Sequence, residues 1–484
     1  MIEHELPTVR IQKIVLENFK SVDYGEIEMA CGRHFVPCDT NADILGIYGQ
    51  NGSGKTSLLE ALSILKFLMS GESVLDEYAD CIKQGEDFAR MEYHFDFQYD
   101  SGLIRKVIYE VAFSKVDAEE DEDILDEYSD DYPRKKYGQK HVIKICHEVL
   151  KVSGDFDGRK IKLQKVIDTQ SGEPFGPALK RKMFYDGSAN SMRLIANKAI
   201  AWNLSKSFVF MDETTDIFEE KTTEYANIVC DLKLFAKAYL YVVDTKASGV
   251  ISLNRMIPIF FRLLNDEGIN RTGTIPLSLD KPNRLPEEIY SIVEKVLNNI
   301  SVVLCTFIPG LTLGLKDLGP VLSKRGKPLR MAEIIAIRDG VELPLRYESD
   351  GVKKIISTLE LYKNAFNDRS MTVAIDEFDA GIFEYLLGEM LSIFEDYGKG
   401  QFIFTSHNLR PLEVIDKNNI CFTTTDSYDR YTRIDNVRPN NNLRKLYFKE
   451  IELGGDEVDL YESEKKYKII DALREAGAWI GKEK

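Results

Sequence analysis

An eight-residue segment near the N-terminus limits the possible folds of this chain more than any other part of the sequence. It reads Gly49-Gln50-Asn51-Gly52-Ser53-Gly54-Lys55-Thr56 and fits the pattern G-x-x-x-x-G-K-[S/T]. Apolar runs at 44–48 and 58–69 flank it, so we expect a buried strand before it and a buried helix after it. Glycines let backbone N–H groups converge on phosphate oxygens, and the start of a helix adds its positive dipole. The segment therefore predicts a nucleoside-triphosphate site.

Within this site, the residues from Gly49 to Ser57 are expected to hold ATP or GTP. Lys55 would contact the β- and γ-phosphates, and Thr56 would ligate Mg²⁺. The chemistry expected of such a site is Mg²⁺-dependent hydrolysis of the nucleotide.

A second apolar run, at 371–375, ends in two carboxylates, Asp376 and Glu377. Asp376 would hold Mg²⁺ through water, and Glu377 would polarise the attacking water. The run at 208–211 followed by Asp212 and Glu213 has the same shape. We interpret that copy as a surface strand end or a helix start, because only Asp376 and Glu377 are framed by further motifs.

Two short motifs provide that frame. Ser349-Asp350-Gly351 lies before a predicted helix, with Ser349 27 residues ahead of Asp376, and Ser406-His407-Asn408 follows the predicted strand at 401–405. A Ser-Asp-Gly loop at a helix start offers N–H donors and a dipole suited to phosphate.

Together these motifs resemble those of ABC-type ATPases. More narrowly, they resemble bacterial "AAA family" ATPases that are ABC-like, which include the ATPase part of overcoming-lysogenisation-defect nucleases and ATPase subunits of Septu-, PARIS- and retron-type phage defence. The resemblance covers about 1–115 and 333–450. It implies an α/β fold: an ABC/SMC-type P-loop ATPase head with an antiparallel β lobe and a mainly helical insertion.

The resemblance also implies residue roles. Ser349 and Gly351 would contact the γ-phosphate of ATP held by a partner chain, and His407 would sense that phosphate. The segment 379–381 would cross the dimer interface. Lys55 and Ser349 belong to opposite ends of one head, so two copies packed head-to-tail would enclose two nucleotides. A homodimer, or a higher multiple of it, is therefore expected.

Two positions depart from the family pattern. Phe383 stands where the family often has a histidine after the 379–381 segment. The glutamine that such heads use as a metal or water ligand has only two candidates, Gln98 and Gln139, and ordinary strand polarity is the preferred interpretation of both.

The chain divides into four expected parts. Residues 1–175 would form the N-terminal part of the head, with an antiparallel meander and an acidic loop at 117–131 in which ten of fifteen residues are Asp or Glu. Residues 176–332 would form a helical insertion or lid, with helices at 225–243, 251–265 and 286–299. Residues 333–450 would complete the head, and 451–484 would form a charged helix. The acidic loop is interpreted as a solvated loop; the alternative is a segment that mimics nucleic acid or binds a basic partner.

Composition limits the partners. The 484 residues carry a formal charge of −16, which disfavours wholesale binding to nucleic acid or anionic membrane. Basic residues cluster locally at 159–165, 180–182 and 324–330. These clusters could still bind nucleic acid, although such a cluster is more often a solvated surface. No apolar run reaches membrane-spanning length, and the seven cysteines include no CxxC pair. A cytoplasmic location without a membrane is expected.

Metal and nucleophile sites outside the nucleotide motifs receive little support. Cys31, His34 and Cys38 have a spacing that could suit zinc, but no fourth ligand follows nearby. Cys146 and His147 with His141 lie on a predicted strand, where a nucleophile pair is not expected.

The function expected from the sequence is an ATP-driven sensor or regulatory subunit of an anti-phage defence system. The 77 residues after His407 lack the acidic pattern of a two-metal nuclease, so the effector, a nuclease or a toxin, is expected on a separate chain. One alternative is a DNA-repair clamp of the RecF or SMC type. Another is a scaffold that uses ATP only to stabilise an assembly.

Overall fold

Two six-stranded sheets form the framework of the chain in the computed structural model. The structure describes residues 5–30, 42–117, 141–156, 158–244, 255–265, 268–323, 325–434, 443–447 and 466–479. The strands are β1 (Thr8–Phe19), β2 (Val22–Glu28), β3 (Asp43–Tyr48), β4 (Phe88–Gln98), β5 (Ile104–Asp117), β6 (His141–Phe156), β7 (Arg159–Asp168), β8 (Leu240–Val243), β9 (Met256–Asn265), β10 (Gly268–Ser278), β11 (Asn283–Leu285), β12 (Leu311–Leu322), β13 (Pro328–Arg338), β14 (Val341–Pro344), β15 (Thr372–Ile375), β16 (Gln401–Thr405), β17 (Ile420–Thr423) and β18 (Tyr431–Thr432).

The helices complete the set of elements. They are α1 (Lys55–Ser70), α2 (Gly187–Asn203), α3 (Asp212–Glu219), α4 (Glu224–Ala238), α5 (Glu287–Phe307), α6 (Asp350–Asn367), α7 (Glu384–Tyr397), α8 (Pro411–Val414) and α9 (Lys466–Trp479).

The first sheet is antiparallel, in the order β2-β1-β4-β5-β6-β7. Its strands alternate buried and half-buried residues, as in β4, where Met91, Tyr93, Phe95 and Phe97 are buried. That period of two is typical of a sheet with one face on the core. The predicted antiparallel meander is confirmed.

The second sheet has the order β18-β17-β3-β16-β15-β8 and is parallel except for β18. All six residues of β3 and all four of β15 are buried, because helices or the other sheet cover both faces. On one side α1 separates the two sheets, which explains why its apolar residues cover nearly every face. On the other side α5, α6 and α7 pack on the sheet.

The predicted helix at 251–265 is wrong within the described residues, because Met256–Asn265 is a strand paired with β10. Ile257 and Ile259 are buried, while Pro258 and Phe260 between them are half-buried. Pro258 would also interrupt a helix, because its ring removes an N–H donor and clashes with the preceding turn.

The predicted helix at 225–243 extends five residues too far, since the helix ends at Ala238 and Leu240–Val243 forms the edge strand of the parallel sheet next to β15. The segment 176–332 is therefore not mainly helical: it contains strands β8 to β12 besides its helices, and β8 belongs to the sheet that carries the acidic pair. The four-part division of the chain stays a prediction.

Helix α5 corrects the expectation about apolar length. By length and composition alone, this 21-residue helix could cross a membrane. Its buried stripe, which includes Val293, Leu297 and Leu304, belongs to the core formed with β12, α6 and β15. Such a stripe is typical of a core helix in a globular protein.

Several predicted features lie outside the described residues. These are most of the acidic loop at 117–131, the possible zinc ligands Cys31, His34 and Cys38, and Gln139.

Candidate functional site

The segment from Gly49 to Thr56, called the phosphate loop from here on, connects β3 to α1, as predicted. Gly52 and Gly54 adopt positive φ angles of 80° and 99°, which residues other than glycine adopt only with strain. Gly49 is required for space, since a Cβ there would lie 1.8 Å from Thr423 Oγ1. The loop thus adopts a turn that this glycine pattern permits.

Residues far away in the sequence hold this loop. The Tyr431 hydroxyl donates to the carbonyl of Gly54 at 2.8 Å, and Thr423 Oγ1 hydrogen bonds with Ser53 Oγ and lies 3.2 Å from the carbonyl of Tyr48. Ser53 Oγ also donates to the Gln50 carbonyl at 2.6 Å. Strands β17 and β18 therefore support the loop from the sheet edge.

Lys55 lies at the first position of α1 and is buried. Its Nζ donates to the carbonyls of Gly49 at 2.8 Å and Gln50 at 2.9 Å. Burial lowers the pKa of the Lys55 ammonium, while the charges of Asp376, Glu377 and Asp379 act in the opposite direction.

The acidic pair follows β15 at the carboxyl edge of the parallel sheet. Thr405, at the end of the neighbouring strand β16, donates its hydroxyl to Asp376 Oδ1 at 2.5 Å and accepts from the backbone N–H of Glu377 at 2.8 Å. Glu377 has a φ of 48°, a conformation that costs about 1–3 kcal/mol for a residue other than glycine. One threonine therefore positions the Asp376 carboxylate and the backbone of Glu377.

The motif after β16 is bound to the 379–381 segment. Asp379 Oδ2 accepts from the backbone N–H groups of His407 at 3.1 Å and Asn408 at 2.9 Å. The His407 side chain is exposed.

A cavity of about 230 Å³ brings these groups together. Of the residues expected at the site, it is lined by Asn51, Gly52, Gly54, Lys55, Thr56, Ser57, Asp376, Glu377 and His407. Gly49, Gln50 and Ser53 shape the loop beneath it through the contacts described above. Sequence reasoning missed Thr405, Lys20 and Ser21, which also line it.

Ser349 and Gly351 do not line this cavity. Ser349 caps α6 by accepting from Val352 N at 3.3 Å, and its side chain is exposed. Gly351 packs directly on the backbone of Gly381, since a Cβ at Gly351 would lie 1.9 Å from the Gly381 carbonyl oxygen. The Ser-Asp-Gly loop and the 379–381 segment therefore form one continuous surface of the same chain.

Three other candidates are placed away from the cavity. Asp212 and Glu213 occupy the first turn of α3, and Asp212 pairs with Lys233 at 2.6 Å, so the interpretation of this copy as a helix start agrees with the structure. Gln98 ends β4 and is not among the lining residues. Phe383 is 72% exposed just before α7.

The donor set fits Mg²⁺. The Thr56 hydroxyl and the Asp376 carboxylate line one cavity, and Mg²⁺ prefers hard oxygen ligands of this kind. Among the described residues no group of three His, Cys, Asp or Glu side chains suits a metal held by protein alone. A magnesium ion that shares its ligands with nucleotide phosphates needs no such group.

An α/β P-loop ATPase head is defined by the phosphate loop after β3, the acidic pair after β15 and the antiparallel sheet. The predicted fold class is therefore confirmed, apart from its mainly helical insertion. Residues 13–229 match the family described as AAA domain, AAA_23. This part of the chain is therefore similar to that family of P-loop ATPase domains.

Comparison with curated protein sequences gives no match. Similar solved structures include the Smc head domain with an extended coiled coil bound to the C-terminal domain of ScpA, from Pyrococcus furiosus, at 14% identity over 92% of this chain and 100% of that chain, with a TM-score of 0.38. The SMC head domain from Thermotoga maritima is 12% identical over 88% and 99%, with a TM-score of 0.34. The recombination mediator protein RecF is 13% identical over 88% and 100%, with a TM-score of 0.33.

Proposed function

We propose that this chain is a Mg²⁺-dependent ATPase that works as the sensor or regulatory subunit of an anti-phage defence system. The observation that carries the ATPase proposal is the single cavity that brings together the phosphate loop, Asp376, Glu377 and His407. GTP remains the other nucleotide that the loop chemistry accommodates.

The residues of the cavity divide the work. The Lys55 ammonium would exchange the carbonyls of Gly49 and Gln50 for phosphate oxygens. Glu377 would orient and polarise the attacking water, from a backbone position that Thr405 maintains. Thr56 and Asp376 would hold Mg²⁺, which when bound neutralises charge on the phosphates.

A second copy of the chain would complete the site. Ser349 and Gly351 lie outside their own cavity; Ser349 is exposed and Gly351 is buried close to it against Gly381, so this loop is placed to contact the γ-phosphate held by a partner. A head-to-tail homodimer would therefore enclose two nucleotides, and hydrolysis would release the closure.

The defence role is supported by the motif set, which resembles that of ABC-like ATPases from phage-defence modules. In this proposal the chain acts in the cytoplasm, and its nucleotide state controls a separate nuclease or toxin.

The second candidate is a DNA-binding clamp, which one observation favours. The edge strand β7 exposes Arg159, Lys160, Lys162 and Lys165, a local positive surface on an acidic chain. Such a surface could bind a phosphate backbone in a salt-dependent manner. Double-stranded DNA should then stimulate hydrolysis, and the stimulation should fall steeply as salt rises.

The ATPase proposal is tested by steady-state hydrolysis and nucleotide binding with three variants. Lys55→Ala should weaken ATP binding, and Glu377→Gln should bind ATP but lose hydrolysis by about 10²- to 10⁴-fold. Glu213→Gln, in the similar acidic pair on α3, is the matched control and should behave as wild type. Hydrolysis by Glu377→Gln at the wild-type rate would contradict the proposal.

The defence role is tested by phage plating with the neighbouring genes present. Protection should be lost with Lys55→Ala and with Glu377→Gln. Equal plating for wild type and both variants would contradict the defence role, whereas protection lost only with Lys55→Ala would favour an ATP-stabilised scaffold.

A further inference from the structure

A second, larger cleft lies at the opposite edge of the parallel sheet. Its volume is about 680 Å³, and its lining includes Ser370 just before β15 and Lys399 just before β16. The nucleotide cavity lies beyond the other ends of these strands, at Asp376 and Thr405. Small-molecule sites commonly have volumes of about 300–1,000 Å³. We call this second space the basic cleft.

Cationic side chains dominate the basic cleft. Five of its lining residues are cationic: Arg262, Lys295, Lys363, Arg369 and Lys399. Only three are acidic: Asp100, Glu360 and Asp368. Because the whole chain carries a charge of −16, a cluster with this balance is a local exception.

The cleft's own acids neutralise only part of this charge. Glu360 pairs with Lys363 at 2.7 Å, and Asp368 pairs with Arg262 at 2.5 Å. Lys295 and Lys399 are exposed and have no carboxylate within 4.0 Å among the residues that the structure describes. The cleft therefore keeps cations available for a ligand.

Two guanidinium groups near the cleft have donors left over: Arg262 lines the cleft, whereas Arg10 is buried behind it. Arg10 is 1% exposed and donates through Nη2 to the carbonyl of Lys399, while its Nε and Nη1 have no acceptor in the described part of the chain. Arg10 shares a face of β1 with Thr8, which lines the cleft, because strand residues two apart point the same way. The Nε of Arg262 is also buried without an acceptor among the described residues.

Leaving such donors unsatisfied is unfavourable, by about 1–3 kcal/mol for each buried group. An anion with several oxygens would accept from the guanidinium of Arg262 and pair with the ammonium groups at once, and phosphate geometry suits arginine particularly well. We propose that the basic cleft binds a small molecule that carries a chain of phosphates and is about the size of a nucleotide. This inference does not depend on the proposed ATPase function.

Helix α6 connects this cleft to the nucleotide machinery. Glu360, Lys363, Asn364 and Asn367, in its C-terminal half, line the cleft, whereas its N-terminus carries the Ser-Asp-Gly loop. The 18 residues of the helix span about 27 Å. A ligand in the cleft therefore contacts the same rigid element that presents Ser349 to a partner.

The proposal is tested by calorimetric titration with inorganic triphosphate, without Mg²⁺. The protein is full-length Lys55→Ala, whose nucleotide cavity is weakened. We expect this variant to retain one triphosphate-binding event. Adding Lys295→Gln and Lys399→Gln should weaken that event at least about tenfold, since two cations that face the anion are removed.

The matched control adds Lys281→Gln and Lys468→Gln to Lys55→Ala. These two lysines are exposed and line neither the basic cleft nor the nucleotide cavity, so the same net charge is removed away from both, and triphosphate binding should not change. Thermal unfolding checks that all variants are folded. Absence of triphosphate binding by Lys55→Ala, or equal weakening by both lysine pairs, would overturn the proposal. The measurement involves no hydrolysis, so its outcome and that of the ATPase test are separate.

Discussion

Thr405 is the residue on which the geometry of the acidic pair depends. Its hydroxyl donates to Asp376 Oδ1 and accepts from Glu377 N–H, so a single side chain sets both the proposed magnesium ligand and the strained backbone of the proposed water-polarising residue. A hydrogen bond to a charged group contributes about 1.5–3 kcal/mol.

We expect Thr405→Val to reduce kcat about tenfold, because a lost stabilisation of about 1.4 kcal/mol corresponds to one decade in rate. ATP affinity should change much less, since the phosphate loop is untouched. Thr405→Ser keeps the hydroxyl and should retain most of the activity. Steady-state kinetics and ATP titration measure both effects, and a valine variant with wild-type kcat would show that Thr405 does not position the acids.

Contiguous residues of the site could be predicted from the sequence, and distant supports could not. The phosphate loop has its chemistry in eight adjacent residues, and Asp376 and Glu377 follow a run of apolar residues that marks a buried strand. Thr405, Thr423 and Tyr431 have no local signal, because each acts through a contact more than 25 positions away in the sequence. Only the strand order of the parallel sheet brings them to the site.

At the level of elements, α1 carries a charged side chain at a half-buried position. Lys66 lies with its Nζ 4.5 Å from the ring centre of Tyr241, and burial lowers the pKa of its ammonium to about 8. The folded state therefore disfavours the charged form. Between pH 8 and the ordinary lysine pKa near 10.5, the unfolded chain binds more protons, so this residue makes stability rise with pH.

We expect Lys66→Met to stabilise the fold by about 2 kcal/mol at pH 7, because the buried charge is removed while the apolar length of the side chain is retained. The advantage over wild type should shrink above pH 8, where Lys66 itself becomes neutral. Urea unfolding at pH 7 and pH 9.5 measures this difference. An advantage that is equal at both pH values would contradict the assigned cause.

Helix α6 depends on a close backbone contact at its start. A Cβ on Gly351 would lie 1.9 Å from the carbonyl oxygen of Gly381, so Gly351→Ala must separate the Ser-Asp-Gly loop from the 379–381 segment. We expect hydrolysis to fall about a hundredfold, the scale reported for catalytic groups misplaced by about 1 Å. ATP binding by the phosphate loop should remain.

Helix propensity cannot explain such a loss, because alanine favours a helix by about 1 kcal/mol over glycine. Ser357→Ala, which adds no volume to a buried position of the same helix, serves as the control. Wild-type hydrolysis by Gly351→Ala would mean that the contact between the two segments is dispensable.

Helices and strands whose apolar residues repeat with one clear period could be predicted from the sequence. Segments whose residues also fit another pattern, or that no turn separates from the preceding helix, could not. The alternation in β4 and the turn after it predicted the antiparallel sheet, and the apolar run of α1 predicted a buried helix. Strand β9 was missed because its apolar residues also fit a helical pattern, although Pro258 argued against that interpretation. Strand β8 was missed because it follows α4 after only Tyr239, so that no turn signal marks the change.

At the level of the whole molecule, the parallel sheet separates two chemistries. The nucleotide cavity lies at the carboxyl ends of β15 and β16, and the basic cleft lies at their amino ends. Helix α6 runs alongside and carries residues of the cleft at one end and Ser349 at the other. The exposed position of Ser349 makes a partner chain necessary if that residue is to contact a nucleotide.

Mixing two inactive variants tests that necessity directly. In a head-to-tail dimer, each site combines Lys55 of one copy with Ser349 of the other. Lys55→Ala and Ser349→Arg should each be inactive alone. When they are mixed, half of the dimers should contain one copy of each, and in those dimers one of the two sites is formed entirely by wild-type residues. Hydrolysis should therefore recover to about a quarter of the wild-type rate, since half of the dimers are mixed and each mixed dimer has one intact site out of two.

Sedimentation in the presence of ATP confirms that the mixed chains associate. If Lys55 and Ser349 served the same nucleotide within one chain, every chain in the mixture would carry a defective site. No recovery would then occur, even though dimers are present. Recovery that depends on mixing therefore requires that two copies share each nucleotide, because neither variant alone can supply both residues to one site.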